Sequence, residues 1–412
     1  MSTGASRNSG VLPVVMGGDV GAYSLGLECY EAFGVRSLCL AASPVAMITE
    51  SGLFDVRPFP AKATDEQVLG ALADVARQYP DKKKVLLSTS DSHVATFAKN
   101  RALQDKDFCI PYASEEAGKV VADKITFYAL AESLGIAAPA SEVVDFSAAG
   151  DPQWTPPTTD VPFPVVAKAS SGDAYNRVHF PGKKKIWFVD DEAELKALWE
   201  TLRDAGFRDR FVVQQVIPGD DTGIRNLTLY VGQDGEVLLR GGAQVLLEDP
   251  SPTLIGNPVA MISQELPELW DQAEKILRAV DYRGFANFDV KIDPHTSVPY
   301  FLDANPRIGR TSYYMVAGGV NPMVPMVRDL CFGESPKPVS TTRRALFSLV
   351  PLGLIKKYVA DPELSREALH LAREGLLFDP LRSPVETSVK RKATAFLQRF
   401  NYYRKFKAYW RF

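Results

Sequence analysis

The chain has 412 residues, is 46% apolar and 24% charged, and carries a net charge of −3. That length suits about two to four domains, and the faintly acidic balance excludes nucleic-acid binding through overall charge. Cys29, Cys39, Cys109 and Cys331, and His93, His179, His295 and His370, are scattered without disulfide-scaffold or zinc-ligand spacing.

Residues 1–10 read as a disordered leader without the apolar stretch of a signal peptide. No run of about 18 apolar residues suggests a transmembrane helix, so a cytoplasmic location is expected. Val11–Met16 predicts a strand, Gly17–Ala22 a glycine-rich turn, the segment up to Gly34 a helix, and Val35–Leu40 a second strand. This is a βαβ unit. The turn does not match GxGxxG, so it reads as a close-approach turn serving a substrate. A helix over Asp65–Gln78 leads into the run Lys84–Asp91, which places Ser90 and Asp91 at the carboxyl end of a parallel strand, where open α/β sheets bind ligands. Residues 11–118 therefore predict a doubly wound α/β domain.

A helix is expected from Ala122 to Leu134, with Lys124 near its start. Residues 146–164 are loop-like. Pro164–Ala169 predicts a buried strand carrying Lys168 into the small-residue loop Ser170-Ser171-Gly172. A helix over Asp191–Leu202 precedes a strand from Phe211 to Ile217, which ends in an acidic turn at Asp220-Asp221. Gln233-Asp234-Gly235 marks a hairpin, residues 249–258 a loop, and Leu266–Val280 a helix. A last hairpin pairs Phe285–Ile292 with Val298–Leu302. Beyond it, Asp303, Asn305 and Arg307 alternate, so in a strand they share one face. Two oxygen ligands and a guanidinium there suit Mg²⁺ on nucleotide phosphates; a plain strand ending in an Asn-Pro turn is the other reading.

A helix lysine, a strand lysine before a Ser/Gly loop, the QQVIPGDD strand (Gln214–Asp221), the carboxylate of FDVKID and the DANPR segment follow one another in this order. The series resembles the ATP-grasp superfamily over residues 11 to about 333. The resemblance implies a mixed α/β and α+β chain. A pre-ATP-grasp domain (11–118) precedes a two-subdomain ATP-grasp domain (119–335) and a C-terminal helical extension (336–412). It implies ATP and Mg²⁺, with Mn²⁺ as an alternative ion. Lys124 and Lys168 would meet the α- and β-phosphates, and Ser170, Ser171 and Gly172 would close over them. Gln214, Gln215, Val216 and Ile217 would read adenine, and Asp221 or Asp220 the ribose. Asp289, Asp303 and Asn305 would hold metal, although many relatives carry Glu at the Asp303 position. Relatives joining D-alanines carry Arg where this chain has Asn287. Arg307 and Arg310 are the available replacements, acting on phosphate or acyl phosphate.

Within the superfamily the motifs are most similar to those of D-aspartate ligases and related carboxylate–amine ligases. That similarity implies amide formation through an acyl phosphate. The partners would be small carboxylates and amines, among them a nucleotide-linked or lipid-linked muramyl peptide, with no nucleic acid. A ligase making a small metabolic dipeptide and a degenerate nucleotide-binding module are the competing readings, and a homodimer stays open. Residues 390–412 hold eight Lys/Arg, no Asp or Glu, and interleaved aromatics. A helix there either lies on anionic lipid at the inner membrane surface or packs on the protein.

Overall fold

The computed structural model describes residues 10–170 and 172–410, the side chains of Asp105 and Asp173 excepted. Most of the expected leader, Ser171 and residues 411–412 lie outside that set.

Strands β1 (Val11–Met16), β2 (Ser37–Ala41), β3 (Phe54–Pro58), β4 (Lys83–Leu87) and β5 (Phe108–Cys109) form a parallel sheet in the order β3-β2-β1-β4-β5. Side chains alternate between its faces. Val14, Met16, Leu38 and Leu86 pack on one side with the helix Asp65–Gln78. Val15, Cys39 and Val85 pack on the other, in a core that continues into the rest of the chain through Tyr230, Val245 and Phe285. The helix Val20–Phe33 starts where Asp19 accepts the Ala22 N–H at 2.9 Å, and ends at Gly34 in the left-handed conformation. All four cysteines are free and buried.

A second, four-stranded sheet holds β6 (Ser141–Asp145), β7 (Val165–Ala169), β8 (Trp187–Val189) and β9 (Arg210–Gln215) in the order β6-β9-β7-β8. Its core is aromatic: Phe146 meets Trp199 edge-on at 5.5 Å, with Phe207 and Phe211 beside it.

The third sheet is the largest. It contains β10 (Ile224–Val231), β11 (Val237–Glu248), β12 (Pro258–Ser263), β13 (Gly284–Ile292), β14 (Pro299–Asn305), β15 (Val339–Ser340), β16 (Leu346–Ser348) and β17 (Leu377–Phe378). The order is β14-β13-β10-β11-β12-β16-β17, with β15 on β11. The sheet therefore runs on past residue 335, the end expected from sequence, because three short strands of the C-terminal region extend it. Both expected hairpins form, β10–β11 and β13–β14.

Candidate active site

The strand pair β13–β14 builds the floor. Asn287 lies opposite Asn305, and Asp289 opposite Asp303. The register then shifts, so that Val290 pairs with Phe301 and Leu302 is the extra residue of a bulge. The shift lets Phe301 and Ala304 both turn into the apolar core with Phe288 and Val290, while Asp289, Asp303, Asn287 and Asn305 share the opposite face. On β10, Asn226 stands across from Asp289 and donates to it at 2.8 Å. Thr228 donates to Asn287 at 2.9 Å.

Lys124 comes from 179 residues away. Its helix, Lys124–Ser133, is started by Asp123, which accepts the N–H groups of Ile125 and Thr126. The Lys124 ammonium then lies 2.9 Å from Asp303 Oδ1. Lys168 enters from the opposite sheet, on β7.

These groups line one cleft of about 1060 Å³ between the second and third sheets, together with Ser170, Asn305, Arg307 and Arg310. The volume exceeds a single drug-sized site. Electrostatics in the cleft are strained by like charges. Burial, then Lys124, pushes the Lys168 ammonium down to about 7, with Asp303 opposing. Burial, then Asp303, pushes the Asp289 carboxyl up to about 6. At Asp303 burial works upward, but Lys124 and Lys168 outweigh it and hold the carboxyl below its ordinary value.

Such a site is suited to bound ions of both signs. Mg²⁺ is commonly held by one or two carboxylates plus substrate phosphates. Asp289, Asp303 and the Asn305 amide match that donor set. Among the described residues no group of three or more His, Cys, Asp or Glu is gathered for a metal. Two buried polar atoms, Ser170 Oγ and Asn226 Oδ1, have no partner among the described residues, and both residues line the cleft.

Arg307 and Arg310 are held by carboxylates at two helix starts of the N-terminal region. Arg307 donates to Asp91 at 2.7 Å and to Asn305 Oδ1 at 3.2 Å. Arg310 pairs with Asp19 at 2.7 Å. The glycine-rich turn before the first helix therefore does approach the site: a Cβ on Gly21 would lie 3.3 Å from the Arg310 Cα. Gly309 crosses directly over Asn287, where a Cβ would come within 2.7 Å of Oδ1. The short residue at 287 and the glycine at 309 together let the arginine turn pass close to the floor.

Other expected residues fall elsewhere. Gly172 opens a short helix, Gly172–Asn176. Gln214 and Gln215 end β9: the Tyr128 hydroxyl lies 3.1 Å from Gln214 Oε1, and Gln215 accepts the Ala140 N–H. Val216 is half-buried and Ile217 buried; none of these four lines the cleft as it stands. Asp221, the expected ribose contact, is not among the residues lining the cleft. It is buried, and its Oδ2 accepts the Glu248 N–H at 2.9 Å, pinning the end of β11. Asp220 is engaged by Thr222.

Lys185 was not singled out from the sequence. It lines the cleft and donates to the Ile255 carbonyl at 3.2 Å, spanning from the smaller sheet to the loop after β11. Its charge acts on Lys168, Asp289 and Asp303 alike. The run Lys183-Lys184-Lys185 was the available signal.

Solved structures of the same architecture include an L-amino acid ligase from Bacillus licheniformis (TM-score 0.54, 15% identity, covering 79% of this chain and 75% of that one). An N5-carboxyaminoimidazole synthetase from Staphylococcus aureus complexed with ADP matches at TM-score 0.58 and 13% identity, over 83% and 84%. The chain has the ATP-grasp fold. A D-aspartate ligase of Enterococcus faecium is 26% identical over 416 residues, covering 98% of this chain and 97% of that protein. No family model matches. With that full-length relative, this ATP-grasp chain is an ADP-forming carboxylate–amine ligase.

Proposed function

We propose that this ATP-grasp chain uses ATP and Mg²⁺ to join the carboxylate of an amino acid, D-aspartate as the first candidate, to an amine on a peptidoglycan precursor peptide. The carrying observation is the opposed set Lys124, Lys168, Asp289 and Asp303 in one cleft, in a chain alike over its full length to a D-aspartate ligase.

Lys168, Lys124 and Lys185 supply positive charge to the triphosphate. Asp289, Asp303 and Asn305 would hold Mg²⁺, which when bound neutralises phosphate charge. A substrate carboxylate oxygen attacks the γ-phosphorus and ADP leaves, giving an acyl phosphate. The amine attacks the acyl carbon, loses a proton, and phosphate departs. Arg307 and Arg310, which line the cleft, orient the anionic groups. Positioning and electrostatics carry this chemistry, with no protein nucleophile.

The test is phosphate release on a panel of D- and L-amino acids, with and without a nucleotide-linked muramyl pentapeptide. Turnover only with the peptide and one amino acid is expected. Turnover with free amino acids alone would favour a dipeptide-forming ligase, the reading supported by likeness to the L-amino acid ligase. Absence of ADP formation with every acceptor would overturn the proposal.

A further inference from the structure

The helix Val389–Tyr409 is amphipathic in the inverted sense. Its inner face carries two buried arginines. Arg391 pairs with Glu386 at 3.1 Å and stacks over the Tyr23 ring at 4.6 Å. Arg399 pairs with Asp379 at 2.6 Å and donates to the Val350 carbonyl at 2.9 Å. Ala395 and Phe406 complete that face. Of the two readings left open, one face of the tail packs on the protein, through buried arginines as well as Ala395 and Phe406.

The outer face is apolar. Val389, Phe396, Leu397 and Phe400 are 82%, 62%, 68% and 50% exposed. At 100° per residue they fall on the side opposite Arg391, Ala395 and Arg399. The rings of Phe396 and Phe400 are 4.8 Å apart, and Phe400 and Tyr403 6.0 Å, giving one continuous strip. Of the nine large hydrophobic side chains exposed among the described residues, six are on this helix, so the exposure is concentrated and not scattered. Lys392 borders the strip, and Arg404 and Lys407 continue the same face toward the helix C-terminus; all three are exposed and without a side-chain partner among the described residues, and the helix holds no acidic residue.

We propose that this face docks on an anionic lipid bilayer, with the aromatic strip in the headgroup–acyl boundary and the flanking cations on lipid phosphates. Apolar residues rimmed by Lys and Arg are the chemistry of an interfacial helix. A second copy of the chain fits less well. Pairing two such faces would bring like charges together, and a strip roughly 20 Å long and about 10 Å wide offers well under the roughly 800 Å² per partner of a stable interface. No helix among the described residues is long and apolar enough to cross a membrane, so the contact is peripheral. Lys405 ties the helix to Asp249 at 2.6 Å, at the base of the loop that Lys185 touches, so the docked face and the cleft are joined through one short segment.

Flotation of the full chain with vesicles of phosphatidylglycerol and phosphatidylcholine, and of phosphatidylcholine alone, tests this. Binding to the anionic vesicles at low salt, weak binding to the neutral ones and release at high salt are expected. Phe396→Ser/Phe400→Ser should lower partition by about tenfold or more. Lys392→Gln/Arg404→Gln/Lys407→Gln should lower it by about a hundredfold, from about fivefold per cation. Both sets are exposed, so melting temperature and turnover on soluble substrates should stay as in the parent. Failure to partition onto anionic vesicles at low salt overturns the proposal. So does partition that neither variant lowers, or a dimer in light scattering that Phe396→Ser/Phe400→Ser dissociates.

Discussion

Asp303→Asn separates the charge of the carboxylate from its shape. In the parent, Asp303 Oδ1 is 2.9 Å from the Lys124 ammonium, with the two side chains 33% and 13% exposed. At the effective dielectric of a partly exposed pair the gross attraction is about 6 kcal/mol. Desolvation and solvent screening leave a net of about 1 kcal/mol. Asparagine keeps an oxygen acceptor for Lys124, and losing the negative charge also relieves Asp289, whose carboxyl Asp303 pushes upward. Stability should therefore change by about 1 kcal/mol or less, roughly 1 °C in melting temperature for a chain this long. Turnover should fall much further. An electrostatic group aimed at developing charge is worth about 3–4 kcal/mol, or about 10²–10³ in kcat. The assay is ADP release at saturating ATP over a Mg²⁺ titration, beside a thermal melt. A variant within about tenfold of the parent at every Mg²⁺ concentration would refute the metal role. Loss of activity together with a large drop in melting temperature would mark Asp303 as structural.

Lys185→Gln should raise the KM for ATP about tenfold, about 1.4 kcal/mol, with an unchanged melt, and Lys185→Arg should restore most of it; equal KM values in parent and Gln variant would remove Lys185 from the phosphate set. Glu28 is buried, with Oε1 accepting from the Ser312 hydroxyl and Oε2 without a partner among the described residues. Burial above all pushes its pKa up to about 8, while Ser312 opposes and Glu31 adds. The folded chain thus keeps a proton that the unfolded chain releases near its ordinary value, and this group's contribution, full at low pH, is lost as pH rises from about 4.5 to about 8. The slope is up to about 1.4 kcal/mol per pH unit; Glu28→Gln should remove it, and identical slopes in urea titrations of parent and variant across that window would contradict the assignment. Gly284 has φ +101°, and a Cβ there would lie 2.7 Å from the Pro111 carbonyl oxygen. Gly284→Ala should therefore cost about 2–4 kcal/mol, read as a lower urea midpoint, and an unshifted midpoint would mean that the Pro111–Tyr112 backbone gives way.

Legibility followed distance along the chain. Asp65–Gln78 is helical over the whole expected span, and the turn at Gln233-Asp234-Gly235 joins β10 and β11. Both rest on caps, turn residues and short-period patterning, which act within a few residues. The candidate site was legible as an order of motifs, and Lys124, Lys168, Ser170, Asp289, Asp303, Asn305, Arg307 and Arg310 do line one cleft. An acidic turn at a strand end reads the same whether its carboxylate faces a ligand or, as for Asp221 here, a backbone N–H. Lys185 went unnoticed because its place depends on a loop 70 residues away.

From sequence alone came the elements with clear caps or periodicity, several turns and the chemical types available for a nucleotide–magnesium cleft, since propensity and periodicity are local. Only the tertiary structure decided which carboxylates face each other. The bulge at Leu302 sets Asp289 against Asp303, and packing brings Lys124 to the pair. It also decided which face of the last helix is buried: ion pairs to Glu386, Asp379 and Asp249 draw its cations inward and leave its aromatic strip outside. Those partners lie on separate elements, and no pattern within the helix encodes them.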